Sequence, residues 1–182
     1  MKLLEFTDVA ALLALCGIYR QCLYGLSCIE VQKLAYFLQE AGEDMKLTFV
    51  QHKFGPYADS LRHALDRMDG HYIEGVGDGV VESEIKPKKE ALDQAKIFLS
   101  ESNADINKRI ERVAELIDGF QSPYGMELRG SVHWVAKNDG AKTKEQALER
   151  IQAWNERKKS IMKQYHVFSA WNKLDQEGWL KH

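Results

Sequence analysis

Four times along this chain a capping residue stands directly ahead of a run whose apolar side chains recur every three or four positions. Ser27-Cys28-Ile29-Glu30 and Thr143-Lys144-Glu145-Gln146 have capping-box spacing, and Ser122-Pro123 sets a cap before a proline. Thr7-Asp8 precedes VAALLALCGIYRQCLYGL, apolar on nearly every side. A chain punctuated this way folds as a set of helices. After Ser27 the stripe is Val31, Leu34, Ala35 and Leu38, and Gly42 stops the helix. YADSLRHALDRM carries Leu61, Ala64, Leu65 and Met68, with Pro56 in its opening turn and Gly70 at its end. Pro87 opens KKEALDQAKIFLSES, and Asn103 separates it from a helix striped by Ile106, Ile110, Val113 and Ile117. Leu128, Val132 and Val135 line the helix after Ser122, ALERIQAWNERKKSIM follows Thr143 as one helix, and HVFSAWNKLDQEGWL ends at Gly178.

Strand signals are few. Leu47 to His52 is short and β-prone, and Tyr72-Ile73 pairs with Val80-Val81 across the glycine-rich turn at Gly75 to Gly79. The expected fold class is mainly α, a multi-helix globular domain with a small β-hairpin. No repeat or linker breaks the 182 residues, so 1–182 is expected to be a single domain.

Charge narrows the function classes. The net charge is -2, which argues against a global attraction to nucleic acid or an acidic membrane. The charge is uneven, however. Residues 66 to 85 hold six Asp or Glu against Arg67 alone, whereas 137 to 173 hold nine Lys or Arg against four Asp or Glu. Three cysteines, Cys16, Cys22 and Cys28, have neither disulfide-framework nor zinc spacing, and buried free thiols fit a reducing cytoplasm. MKLLEF lacks the core of a signal peptide, and Val9 to Ile18 is too short to span a bilayer.

No catalytic or metal motif stands out. The histidines, His63 and His133 among them, are scattered, and Gly75-Val76-Gly77-Asp78-Gly79 has acidic neighbours that would repel phosphate. Arg157-Lys158-Lys159 reads as the solvated end of a helix, and the tryptophans as core. The residues therefore predict a non-enzyme without cofactor or metal.

Several separated stretches add a family. VQKLAYFLQEAG (31–42) followed by HKFGPYADSLRHAL resembles the Panacea (SocA-like) antitoxin domain, through a QKL-Y helix, a short strand and a GP turn. HKFGPYADSLRHALDRMDGHYIEGVGDG (52–79), FQSPYGMELRGSVHWVA (120–136), Trp154, Lys158-Lys159 and AWNKLDQEGWL (170–180) resemble the C-terminal domain of DarG antitoxins. No macrodomain is expected ahead of this region within 1–182, so the family's hydrolase activity is not expected to carry over, and the chain reads as either an excised domain or a stand-alone relative. The resemblance implies a protein partner, a cognate toxin that ADP-ribosylates thymidine in single-stranded DNA, and a role in blocking the toxin's DNA site. An acidic surface with interleaved rings suits that role, and the expected toxin-binding residues are Arg62, Asp66, Asp69, His71, Tyr72, Glu74 and Asp78. Direct nucleic-acid binding and membrane association are not expected. The alternatives are a nucleic-acid-binding module using Trp154 and Arg157 to Lys163, or a protease adaptor.

Overall fold

The computed structural model describes residues 4–20, 25–77 and 84–180. Among the described residues there are nine helices: α1 (Phe6–Tyr19), α2 (Cys28–Glu40), α3 (Asp59–Met68), α4 (Lys89–Ser100), α5 (Ala104–Ile117), α6 (Pro123–Lys137), α7 (Lys144–Trp154), α8 (Glu156–Ile161) and α9 (Gln164–Gln176). Two antiparallel strand pairs join them, β1 (Val50–His52) with β2 (Gly55–Tyr57) and β3 (Ile73–Glu74) with β4 (Lys86–Pro87). The mainly helical architecture matches the cap-and-stripe pattern. None of these helices is long and apolar enough to cross a membrane.

The caps at Ser27, Ser122 and Thr143 stand where the sequence puts them, each side chain accepting a backbone N–H of the first turn. The stripe residues of α2, α3, α5 and α6 are all buried. Helix α1 starts two to three residues earlier than the Thr7-Asp8 cap predicts. Glu5 is its cap, and Asp8 closes a reciprocal capping box on it.

Three local expectations are corrected. Phe54-Gly55-Pro56-Tyr57 does not open a helix: Gly55 to Tyr57 is the second strand of a hairpin, and α3 begins only at Asp59 after the cap Ala58. Ile73 pairs with Pro87, and Pro87 lies in β4 while its helix begins at Lys89. The expected partners Val80-Val81 lie outside the described residues. The third correction falls in the helix after Thr143. It breaks at Asn155, whose extended backbone (φ −161°, ψ 164°) ends α7 and whose side chain caps α8 through the Lys158 N–H at 2.7 Å.

Helix α2 is the axis of the molecule. It packs on α1, α3, α5, α6 and β2, with α1, α4 and α5 clustered together and α7, α8 and α9 packed around α6. Every residue from Cys28 to Leu38 is buried, although the sequence shows an ordinary one-faced stripe. Its other face carries polar side chains that act as struts. Glu30 accepts from Ser27 and the Tyr19 hydroxyl, Gln32 clamps both backbone groups of Ala58 (2.9 and 3.0 Å), and Lys33 donates to the Pro56 carbonyl at 2.8 Å. Buried polar groups are tolerated where each is hydrogen-bonded, and here each bond fixes a different neighbouring element.

Candidate functional site

The strut at Lys33 leads to the most heavily built polar cluster of the described residues. Lys33 and Lys158 are fully buried, and Glu127 is 2% exposed. Glu127 Oε1 accepts from Lys158 Nζ at 2.5 Å and from Arg157 at 2.6 Å. The break at Asn155 makes this possible, because it turns α8 so that Lys158 points inward beneath α6. The expectation that Arg157-Lys158-Lys159 is a solvated helix end is corrected accordingly: only Lys159 of the three is exposed. Burial lowers the Lys33 ammonium to about 7, against the pull of Glu127, and also lowers Lys158.

The hairpin fits over this cluster with little tolerance. Gly55 has φ +99°, and a Cβ there would sit 3.0 Å from Lys33 Cε. A Cβ on Gly130 of α6 would lie 2.9 Å from Lys33 Cδ. The F-G-P-Y stretch is thus shaped to receive a lysine.

Above the cluster lies a face of rings and cations. Arg157 stands over the Phe54 ring at 4.7 Å and Lys53 at 5.2 Å. His52 stacks on Tyr57 with centroids 4.5 Å apart, and the Trp154 indole donates to the His52 carbonyl at 3.0 Å. Residues 52 to 57 and 154 to 157, a hundred positions apart, form one surface. In sequence terms only the Asn155-Glu156 helix start signals it.

The predicted toxin-binding residues lie elsewhere, on α3, β3 and the turn between them. Arg62 and Asp66 stand on the α3 part of this edge, Asp69, His71 and Tyr72 in the turn, and Glu74 on β3; Asp78 lies outside the described residues. That edge is less anionic than the sequence window suggests. Arg62 holds Asp66 at 3.0 Å and reaches the Gly77 carbonyl, and Lys88 binds the Gly70 carbonyl at 2.6 Å and stands 3.8 Å from Glu74. These cations come from outside residues 66 to 85. Asp69 has no ion-pair partner among the described residues, and His71 is exposed. Tyr72 is half-buried, beside an apolar groove lined by Phe6, Val9 and Met68.

His133 is no free acid–base group. Its Nδ1 meets the Tyr36 hydroxyl at 2.7 Å and its Nε2 the Trp179 carbonyl at 3.2 Å, and burial lowers its pKa to about 4. The Nε2–H therefore donates to the carbonyl and Nδ1 accepts from tyrosine. Cys16 and Cys28 are buried and form no disulfide among the described residues, with Cys16 pushed up to about 12 by burial; Cys22 lies outside the described residues.

No family model matches the chain. Known relatives do. A protein of Thermus aquaticus named DNA ADP-ribosyl glycohydrolase is 46% identical over 175 residues, which is 94% of this chain and 47% of the relative. Proteins of the same name from Mycobacterium bovis and Mycobacterium tuberculosis are each 36% identical over 143 residues, 75% of this chain and 41% of the relative. The chain thus spans about half the length of the curated relatives it matches. These names correct two expectations. The resemblance to a Panacea (SocA-like) domain and to a DarG C-terminal domain gives way to similarity with proteins named as glycohydrolases. The expectation of a non-enzyme is overturned by the same names, which are those of enzymes.

Proposed function

We propose that this chain works in a protein that reverses ADP-ribosylation of DNA, and that its part there includes binding the ADP-ribosyltransferase that writes the mark. The carrying observation is the 46% identity, over 94% of the chain, to a protein named DNA ADP-ribosyl glycohydrolase. An eraser of ADP-ribose on DNA presupposes a transferase that attaches it. A transferase acting on DNA needs a cationic groove, and a partner that fills such a groove presents anions and rings in place of phosphates and bases. The α3–β3 edge offers Asp66, Asp69 and Glu74 with His71 and Tyr72 among them. The cations on Asp66 and Glu74 are surface partners that a transferase's own arginines can replace at small cost. Cleavage of the ADP-ribosyl–DNA bond is part of the same proposal for the whole protein.

Calorimetric titration with the cognate transferase tests the binding role. Changing Asp66, Asp69 and Glu74 together to Ala is expected to weaken binding at least tenfold and to flatten its salt dependence. Unchanged affinity would refute the assignment of this edge.

One observation favours a second reading, contact with single-stranded nucleic acid. It is the ring-and-cation face of His52, Lys53, Phe54, Trp154 and Arg157, which has the makings of a stacking platform. Titrating the same protein with a single-stranded oligonucleotide separates the two: salt-dependent binding abolished by Lys53→Glu supports the second reading, and its absence leaves the transferase as the partner.

A further inference from the structure

A second region of the molecule carries ligand chemistry that neither face uses. Where the ends of α2 and α6 meet α5 and the segment after α9, the surface folds into a cavity of about 370 Å³. That size lies within the range of small-molecule sites. Its polar lining comes from four elements: Glu40 of α2, Arg112 of α5, His133 and Lys137 of α6, and Trp179 beyond α9.

The bonding of these groups is incomplete in a consistent direction. The Arg112 guanidinium lies over the Trp179 ring at 4.1 Å and donates to the Gly178 carbonyl at 3.2 Å. It has no carboxylate partner among the described residues, although a guanidinium carries five N–H donors. Trp179 is 6% exposed, and its Nε1–H has no acceptor among the described residues. A buried donor without an acceptor is uncommon and needs a reason. Lys137 stands half-exposed beside Glu40 at 2.5 Å and has donors to spare. His133 brings no charge, since both its nitrogens are engaged as described above. The lining thus holds two cations against one carboxylate, together with surplus N–H donors.

We infer that this cavity is a binding site for a small organic oxyanion, a phosphate ester or a carboxylate, with Arg112 as its principal contact. Planar paired donors of a guanidinium match two oxygens of either group, and the stacking on Trp179 holds the fork in one orientation. Lys137 sits beside it with further donors, and Glu40 can accept from hydroxyl or amino groups on the body of the ligand.

The 182-residue protein is titrated with AMP, inorganic phosphate and succinate, with adenosine as the uncharged control. Binding is followed by calorimetry and by the indole N–H resonance of Trp179, assigned through Trp179→Phe. At least one oxyanion is expected to bind with a Kd under about 1 mM and to shift that resonance, while adenosine does neither. AMP or phosphate against succinate identifies which oxyanion the site takes. Arg112→Gln is expected to weaken binding at least tenfold, with Arg112→Lys recovering only part of it, in proteins whose thermal unfolding stays cooperative. Should Arg112→Gln fail to fold, Lys137→Gln and the Trp179 resonance decide. No shift of that resonance with any oxyanion, or binding that Arg112→Gln and Lys137→Gln leave untouched, overturns the site.

Discussion

Asp66 and Glu127 each accept from an arginine, yet they sit in opposite surroundings. Asp66 is exposed on α3, four residues from Arg62 in the same helix. Glu127 is buried and holds Lys158 as well as Arg157. Water would solvate Asp66 without its partner, so its pair contributes little to folding. No water can take the place of Glu127. Its loss would leave a fully buried ammonium unpaired. The same residue types therefore make a solvent-exposed surface pair in one place and a structural clasp in the other.

The sharpest way to break that contrast is Glu127→Ala. It is expected to lower stability by about 3–5 kcal/mol in a urea titration, the range for removing one partner of a buried pair. A loss below about 1 kcal/mol would mean that the clasp is no more than a surface pair. A smaller effect comes from pH. The folded pKa of His133, about 4, lies below its ordinary 6.5, so in that interval the unfolded chain takes up the proton that the folded one resists. Stability should fall as pH drops from about 6.5 toward 4, by about 3 kcal/mol in full. His133→Gln should flatten this part of the profile relative to the unsubstituted protein, and parallel profiles would show that the imidazole is not protected as its hydrogen bonds indicate. The smallest effect belongs to the acidic edge. Asp66, Asp69 and Glu74 changed together to Ala should move stability by less than about 1 kcal/mol. A large loss there would make the edge structural and remove the contrast altogether.

Helix positions were legible because caps and apolar stripes act locally. Ser27, Ser122 and Thr143 cap where their side chains meet the next turn's N–H groups, and Ile106, Ile110, Val113 and Ile117 turn inward because 3.6 residues make a turn. Part of the candidate surface was legible too, since Arg62 to Glu74 is a contiguous stretch. Its charge was misjudged, because Lys88 reaches Glu74 only through the β3–β4 pairing. Proline at position 56 looked like a helix start because that residue suits a first turn and a strand at a sheet edge alike. What decides is Lys33, 23 residues away, which needs the Pro56 carbonyl as its acceptor.

The sequence by itself determined the mainly helical class, the caps at Ser27, Ser122 and Thr143, and the inward stripes of α2, α3, α5 and α6, since each depends on residues within one or two turns of each other. Only the tertiary structure decided that α2 is buried on all sides, that Lys158 points inward, and that residues 52 to 57 share a surface with 154 to 157. It also brought Arg112, Lys137 and Trp179 around one cavity. The physical reason is common to all four: whether a polar side chain meets water or another chain segment depends on what packs over it, and nothing local encodes that.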